Sequence, residues 1–342
     1  MYAFAPVAAR TLESLCRQRQ TRKRIADLYT IDSCPCCESK RLKLWPAMVS
    51  PFLARYVLGT APPVCSLAEC EECSFRFYDS RLTGAEVEKL YSGYRGKEYF
   101  RVRHAVEPWY SAKVNEGIGG DPEEIRRRNE ALEAFLASDI ELGDIETVLD
   151  YGGDRGQFIP SKLGKRKYVF EVSDAMPVDG VARIGSEAEL EKERFDFVML
   201  CGVLEHCSEP LDVLQRLRSL AAGPDALFYI GVPYERFDLG MAGRGRVYRK
   251  YLHFLRRSGP LLILADFYST AVRVRWDTIP PLGFMKCHEH LNFFNEQSMG
   301  ALLRRAGMGM VASSRTQTNT YPARTTSLNI LAASTARSLP SR

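Results

Sequence analysis

From Glu146 onward the chain alternates between two patterns. Short apolar runs, "TVLDYG" (147–152), "KYVFEVS" (167–173), "VARIG" (181–185), "FDFVMLCG" (195–202), "DALFYIGVP" (225–233), "MGMVASS" (308–314) and "SLNILAAS" (327–334), read as buried strands. Between them, "GQFIPSKL" (156–163), "EPLDVLQRLRSL" (209–220) and "NEQSMGALLRRAG" (295–307) carry apolar residues at helical spacing. Ser208 is the expected cap of the second helix, and Gly307 the stop of the third. Apolar strands separated by helices predict an α/β, doubly wound, mainly parallel sheet of seven strands over 146–335.

The preceding part reads differently. Thr83 and Glu86 in "TGAE" form a capping box, and Asp121-Pro122 opens a second helix. We divide the front into a helical segment (1–30), a cysteine module (31–80) and a helical connector or lid (81–145). "YRGKEYFRVRHAVEPWY" (94–110) reads equally as a packed connector or as a lid over a substrate.

Composition changes this picture little. Hydrophobic residues make up 45% of the chain and charged residues 26%, as in soluble proteins, and a net charge of +5 does not by itself indicate nucleic acid. No apolar run reaches the ~18 residues of a membrane helix, and the first residues lack a signal pattern. A cytoplasmic protein is expected. Its ten cysteines then need an explanation other than stable disulfides. Cys34 and Cys37 form one C-x-x-C, and Cys70 and Cys73 another. Two such turns supply four thiolates to one tetrahedral structural zinc, with Cys36 and Cys65 as spare thiols and Cys36 as a substitute ligand.

The stretch "DYGGDRGQF" (150–158) ends the first strand of the series, where ligands bind in such sheets. Its glycines let backbone approach a ligand closely. Glu171, at the end of the second strand, stands where a carboxylate accepts both ribose hydroxyls. The G-x-G-x-x-G spacing of a nicotinamide site is absent, because 155 is Arg and 157 is Gln.

"VLDYGGDRG" and "FDFVMLCGVLEHCSEPLDVLQRL" together resemble the first motif and the fourth-strand segment of the class I S-adenosylmethionine-dependent methyltransferases. Position 154 carries Asp where that pattern has its middle glycine. The resemblance implies a Rossmann-like sheet and a cofactor pocket. Asp150, Gly152, Gly153 and Gly156 would shape its methionine end, Glu171 would hold the ribose, and Cys201 and Gly202 would line the floor.

An insertion at about 234–287 follows the fifth strand. Its basic, aromatic and apolar segment reads as packed helices, as a substrate cover or, through 244–275, as a peripheral membrane contact. It ends in "CHEHLNFFNEQSM" (287–299). His288 and His290 suit proton transfer, metal ligation or a structural turn. The cysteine module, the methyltransferase core and "HEHLNFF" together resemble bacterial methyltransferases acting on sugars, among them sugar-nucleotide C-methyltransferases found with polysaccharide biosynthesis. That resemblance implies His290 as general base, with Glu289 or His288 orienting it, and a sugar or small-metabolite acceptor methylated at oxygen or carbon. Two rivals stand beside it: an RNA base methyltransferase that uses its zinc module for RNA, and a methyltransferase-like binding protein without activity.

Overall fold

The structure, a computed structural model, describes residues 24–25, 28–117, 119–171, 175–235, 238–239, 245–320 and 323–334. Most of the helix expected over 1–30 lies outside the described residues. The described part of that stretch is extended, as strands β1 (Arg24–Ile25) and β2 (Leu28–Thr30).

The front half is a second β layer. Strand β3 (Leu42–Val49) runs into a short helix, α1 (Pro51–Leu53), and then pairs with β4 (Val64–Cys70), which pairs with β5 (Arg76–Tyr78). Strand β6 (Ser80–Arg81) joins β2. The capping box at Thr83 and Glu86 is present and starts α2 (Gly84–Ser92). The "YRGKEYFRVRHAVEPWY" segment contains a regular helix, α3 (Lys97–Val106), whose Tyr99 and Arg103 are buried. A short helix, α4 (Ala112–Gly117), precedes α5 (Pro122–Leu136), which Asp121 caps as expected. Read as connector, α5 instead packs Leu132 and Leu136 into the core of the large sheet.

That sheet begins with β7 (Thr147–Tyr151), β8 (Arg166–Phe170) and β9 (Val181–Ile184), followed by a turn of helix, α6 (Glu187–Leu190). Next come β10 (Phe197–Cys201), α7 (Pro210–Ser219) and β11 (Leu227–Pro233). The insertion contributes two helices, α8 (Gly245–Leu255) and α9 (Gly259–Trp276), and a strand, β12 (Met285–Cys287). The chain continues with β13 (Asn292–Phe293), α10 (Glu296–Arg305), β14 (Gly309–Thr320) and β15 (Ala323–Ala333). The strand order is β14-β15-β11-β10-β7-β8-β9, parallel except where β15 runs against β11 and β14. All seven predicted strands are present, and the strand order reverses between β7 and β10. This is the doubly wound, mainly parallel α/β sheet that the sequence predicts. Strands β7 and β10 are buried along their whole length, which is why they read as unbroken apolar runs.

Two expected details differ. No helix follows β7. Residues 156–164 form consecutive turns, with Ile159 N bonded to Gly156 O and Leu163 N to Pro160 O. Pro160 in mid-segment offers no N–H and disfavours helical torsions in the residue before it. Ser208 does not cap α7. Its hydroxyl donates to Leu82 O at 2.9 Å, and Glu209 holds the N-cap position without a side-chain bond.

The front sheet has the order β12-β3-β4-β5-β13. Its outer strands come from the far end of the chain. The intervening loop carries "HEH", so the front module presents that segment to the large sheet. Among the described residues no helix is long and apolar enough to cross a membrane.

Candidate functional site

The loop after β7 is shaped by its glycines. Gly152 and Gly156 have φ of 73° and 71°, torsions that glycine adopts freely. A Cβ on Gly153 would stand 2.2 Å from the Asp150 carboxyl carbon, so only glycine fits there. Asp154 also has a left-handed φ, 55°, which Asp tolerates better than most residues. Its side chain accepts from Gln157 Nε2 at 3.1 Å and its N–H donates to Glu171 Oε2 at 3.3 Å. Where the pattern has glycine, Asp154 thus takes a left-handed torsion and ties the loop to Glu171, just after β8. Asn129 of α5 donates to Gln157 O at 3.1 Å, and the Arg128 guanidinium lies 3.7 Å from the centre of the Phe158 ring.

Asp150 is fully buried, and neither carboxylate oxygen has a hydrogen-bond partner within the protein. Burial, with Glu171 and Asp154 nearby, pushes its pKa up to about 7 despite Arg128. An orphaned buried carboxylate costs stability unless a cation or donor reaches it. Glu171 is buried beside the same loop. Cys201 and Gly202 end β10, where Gly202 N bonds Gly231 O at 2.6 Å. They line a small open cleft of about 50 Å³ together with Arg128, Tyr229, Thr316 and Asn329. This cleft lies on the β10–β11 side of the crevice, whereas Glu171 lies on the β7–β8 side. The predicted cofactor residues therefore flank the point where strand order reverses.

A profile described as a methyltransferase domain matches residues 122–313. The chain belongs to this methyltransferase family. The match opens on the first residue of α5, the helix that buttresses the loop, and ends within β14. Similar solved structures include mitomycin 7-O-methyltransferase MmcR, at 14% identity, 68% of this chain, 60% of that chain and a TM-score of 0.35. The 1,6-didemethyltoxoflavin-N1-methyltransferase of Burkholderia thailandensis is 18% identical over 69% of this chain and 90% of its own, with a TM-score of 0.38. Magnesium protoporphyrin IX methyltransferase from Synechocystis PCC 6803 is 16% identical over 68% and 99%, also with a TM-score of 0.38. No curated protein matches the chain. As a member of its family, this protein is an S-adenosylmethionine-dependent methyltransferase.

A second cluster in the methyltransferase lies just beyond β10. The backbone O of Glu205 accepts from Leu291 N at 2.7 Å and from Asn292 N at 3.1 Å, which clamps "HEH" against the β10–α7 loop. Asn292 strengthens the clamp by donating to Leu204 O and Cys207 O. The His290 and His206 ring centres are 4.8 Å apart. His290 Nδ1 stands 2.8 Å from Glu235 Oε1, and Arg273 of α9 holds the other Glu235 oxygen at 3.2 Å. Burial opposes the charged imidazole, but this carboxylate, with Glu205 and Glu289 nearby, outweighs it and raises the His290 pKa above 6.5. His206 Nδ1 lies 2.9 Å from Glu289 O, and burial followed by His290 drives its pKa down to about 3. Glu205 is buried with neither carboxylate oxygen bonded, and burial raises its pKa to about 7.

The side chains of His288 and Glu289 bond groups other than His290. The backbone at 288–290 is a bend rather than a strand, so the two histidines diverge. The Glu289 carboxylate accepts from Tyr99 Oη and pairs with Arg103. His288 Nε2 lies 3.1 Å from Glu107, which also binds Arg103 and Lys286. These groups form a buried ion network that anchors α3. Glu235 and Glu205 are the neighbours that sequence reasoning missed. "LEH" before α7, where His206 stood out as a support or an acceptor-positioning group, offered a signal for Glu205, but Glu235 had none.

In the front module, Cys34 Sγ lies 3.5 Å from Cys73 Sγ, and Cys37 Sγ lies 3.4 Å from Cys70 Sγ. All four sulfurs fall within 4.8 Å of one another. The predicted four are therefore brought together, with Cys36 buried alongside. Cys65 interacts instead with Cys287.

Proposed function

We propose that this methyltransferase methylates a hydroxyl or an acidic carbon of a sugar, nucleotide-sugar or related small metabolite. The observation that carries this reading is the His290–Glu235 pair, held beside Glu205 and His206 at the carboxyl end of β10. The cofactor, when bound, supplies an electrophilic methyl on a sulfonium. The loop after β7 would hold its methionine end, with the Asp150 carboxylate accepting from the ammonium group and Gly153 giving the room. Glu171 would hold the ribose, and Cys201 and Gly202 would form the floor. At the acceptor, His290 would take the proton through the ring nitrogen not engaged by Glu235, while Glu235 stabilises the resulting imidazolium. Glu205 and His206 would position the acceptor hydroxyl or carbonyl. Glu289 and His288 would act one layer back by fixing the loop that carries His290. The test is transfer of labelled methyl from S-adenosylmethionine to a panel of nucleotide-sugars and free sugars. Labelled sugar product that depends on His290 supports the reading, whereas exclusive labelling of RNA refutes it.

A second reading is favoured by the unbonded Glu205 carboxylate. Glu205, His206 and His290 offer donor atoms within 4.8 Å of one another, so the cluster would hold a divalent cation that lowers the acceptor's pKa. Methyl transfer unaffected by removal of loosely bound divalent cations excludes it.

The four thiolates would hold a structural zinc, kept available by a reducing, cytoplasmic setting. The metal would cross-link the Cys34–Cys37 turn to the end of β4 and to the turn between β4 and β5. Elemental analysis is expected to find one zinc per chain. Cys73→Ser is expected to lower that content and the melting temperature together, because the front sheet loses its cross-link. Full zinc content in Cys73→Ser contradicts the assignment.

A further inference from the structure

We propose that the α8–α9 face docks on an anionic membrane surface. Helix α9 turns large apolar side chains to the outside. Leu262, Asp266 and Ser269 face the protein, while Leu264, Phe267 and Val274 project outward, with Leu264 64% exposed. Trp276 at its end is 65% exposed, and Val247 on α8 is 81% exposed. An exposed face with this many large apolar side chains is normally covered by another apolar phase.

Charge identifies that phase. Residues 245–276 hold seven Lys and Arg against one Asp, a net of +6 where the whole chain carries +5. The single acid, Asp266, is buried and paired with Lys286. Arg246, Lys250, Arg257 and Arg275 are exposed around the apolar residues. Basic side chains bordering exposed Leu, Phe and Trp match an interface with anionic headgroups above acyl chains. A second copy is a poorer occupant, since a two-fold contact would set this basic face against itself. Nucleic acid is poorer too, because the aliphatic Leu264, Val274 and Val247 have nothing to stack on there. Trp109, whose ring centre lies 5.7 Å from that of Phe267, extends the apolar surface as a shallow groove beside α9.

The test is co-sedimentation of the full chain with vesicles of equimolar phosphatidylglycerol and phosphatidylcholine, and with phosphatidylcholine alone. Binding is expected only to the anionic vesicles, weakening as salt rises. The double variant Leu264→Glu/Phe267→Glu is expected to lose at least ten-fold in partitioning. Its melting temperature and its affinity for S-adenosylhomocysteine should stay at the parent values, which separates docking from folding and from the cofactor reading. Absence of the parent protein from anionic vesicles at low salt overturns the proposal. So does a dimer in solution that the double variant dissociates, or equal binding to both vesicle types.

Discussion

Asp150→Asn is expected to weaken S-adenosylhomocysteine binding about 10- to 100-fold while making the ligand-free protein more stable at pH 8. The two effects share one cause. In the ligand-free chain the carboxylate is buried without a hydrogen-bond partner. Its pKa rises from 3.8 to about 7, so the folded chain retains a proton that the unfolded chain releases. The stability this group contributes is present below pH 3.8 and is lost as pH rises to about 7. The span corresponds to on the order of 4 kcal/mol. An amide removes that penalty because it never ionises. It also removes the charge that would meet the cofactor's ammonium, a contact worth about 1.5–3 kcal/mol. Thermal melts from pH 4 to 8 measure the first effect and calorimetry the second. A variant that is less stable at pH 8 and binds normally contradicts both halves.

His290→Ala is expected to lower kcat by roughly 100- to 10,000-fold, the range of a lost general base, with cofactor affinity nearly unchanged. A pH profile makes the assignment sharper. Glu235 raises the His290 pKa above 6.5, and a base works only when neutral. Activity should therefore rise with pH through that raised value. In Glu235→Gln the charge is gone, the imidazole loses its proton more readily, and the rising limb moves to lower pH. Its maximum rate should also fall, because the amide holds the ring less firmly. A limb that stays in place, or an equal loss of cofactor affinity in His290→Ala, contradicts the role.

What was legible in the sequence follows from range. Strands β7 and β10 are buried on both faces, so their apolar runs announced them locally. The Thr83 capping box acts over three residues and was equally readable. The cysteine pairs carry their own spacing. Errors arose where a local pattern met a competing constraint. Residues 156–163 have helical apolar spacing, yet Pro160 and the anchored loop before them leave only turns. Ser208 looked like a cap, but Leu82 O, distant in sequence, takes its hydroxyl. The largest omission is the partner of His290. Glu235 lies 55 residues away, and the two meet because β12 and β13 close a sheet begun at residue 42. No pattern within 287–299 encodes that pairing. It also explains why the adjacent His288 and Glu289, natural choices from sequence, are spent on anchoring α3.

The central claim is that the crevice at the ends of β7, β8 and β10 is the cofactor site. Calorimetric titration of the zinc-replete protein with S-adenosylhomocysteine tests it most directly, with Glu171→Ala in parallel. Micromolar binding by the parent, lost in a variant with an unchanged melting temperature, is the predicted result. Equal binding by both proteins, or none by a folded parent, would contradict it.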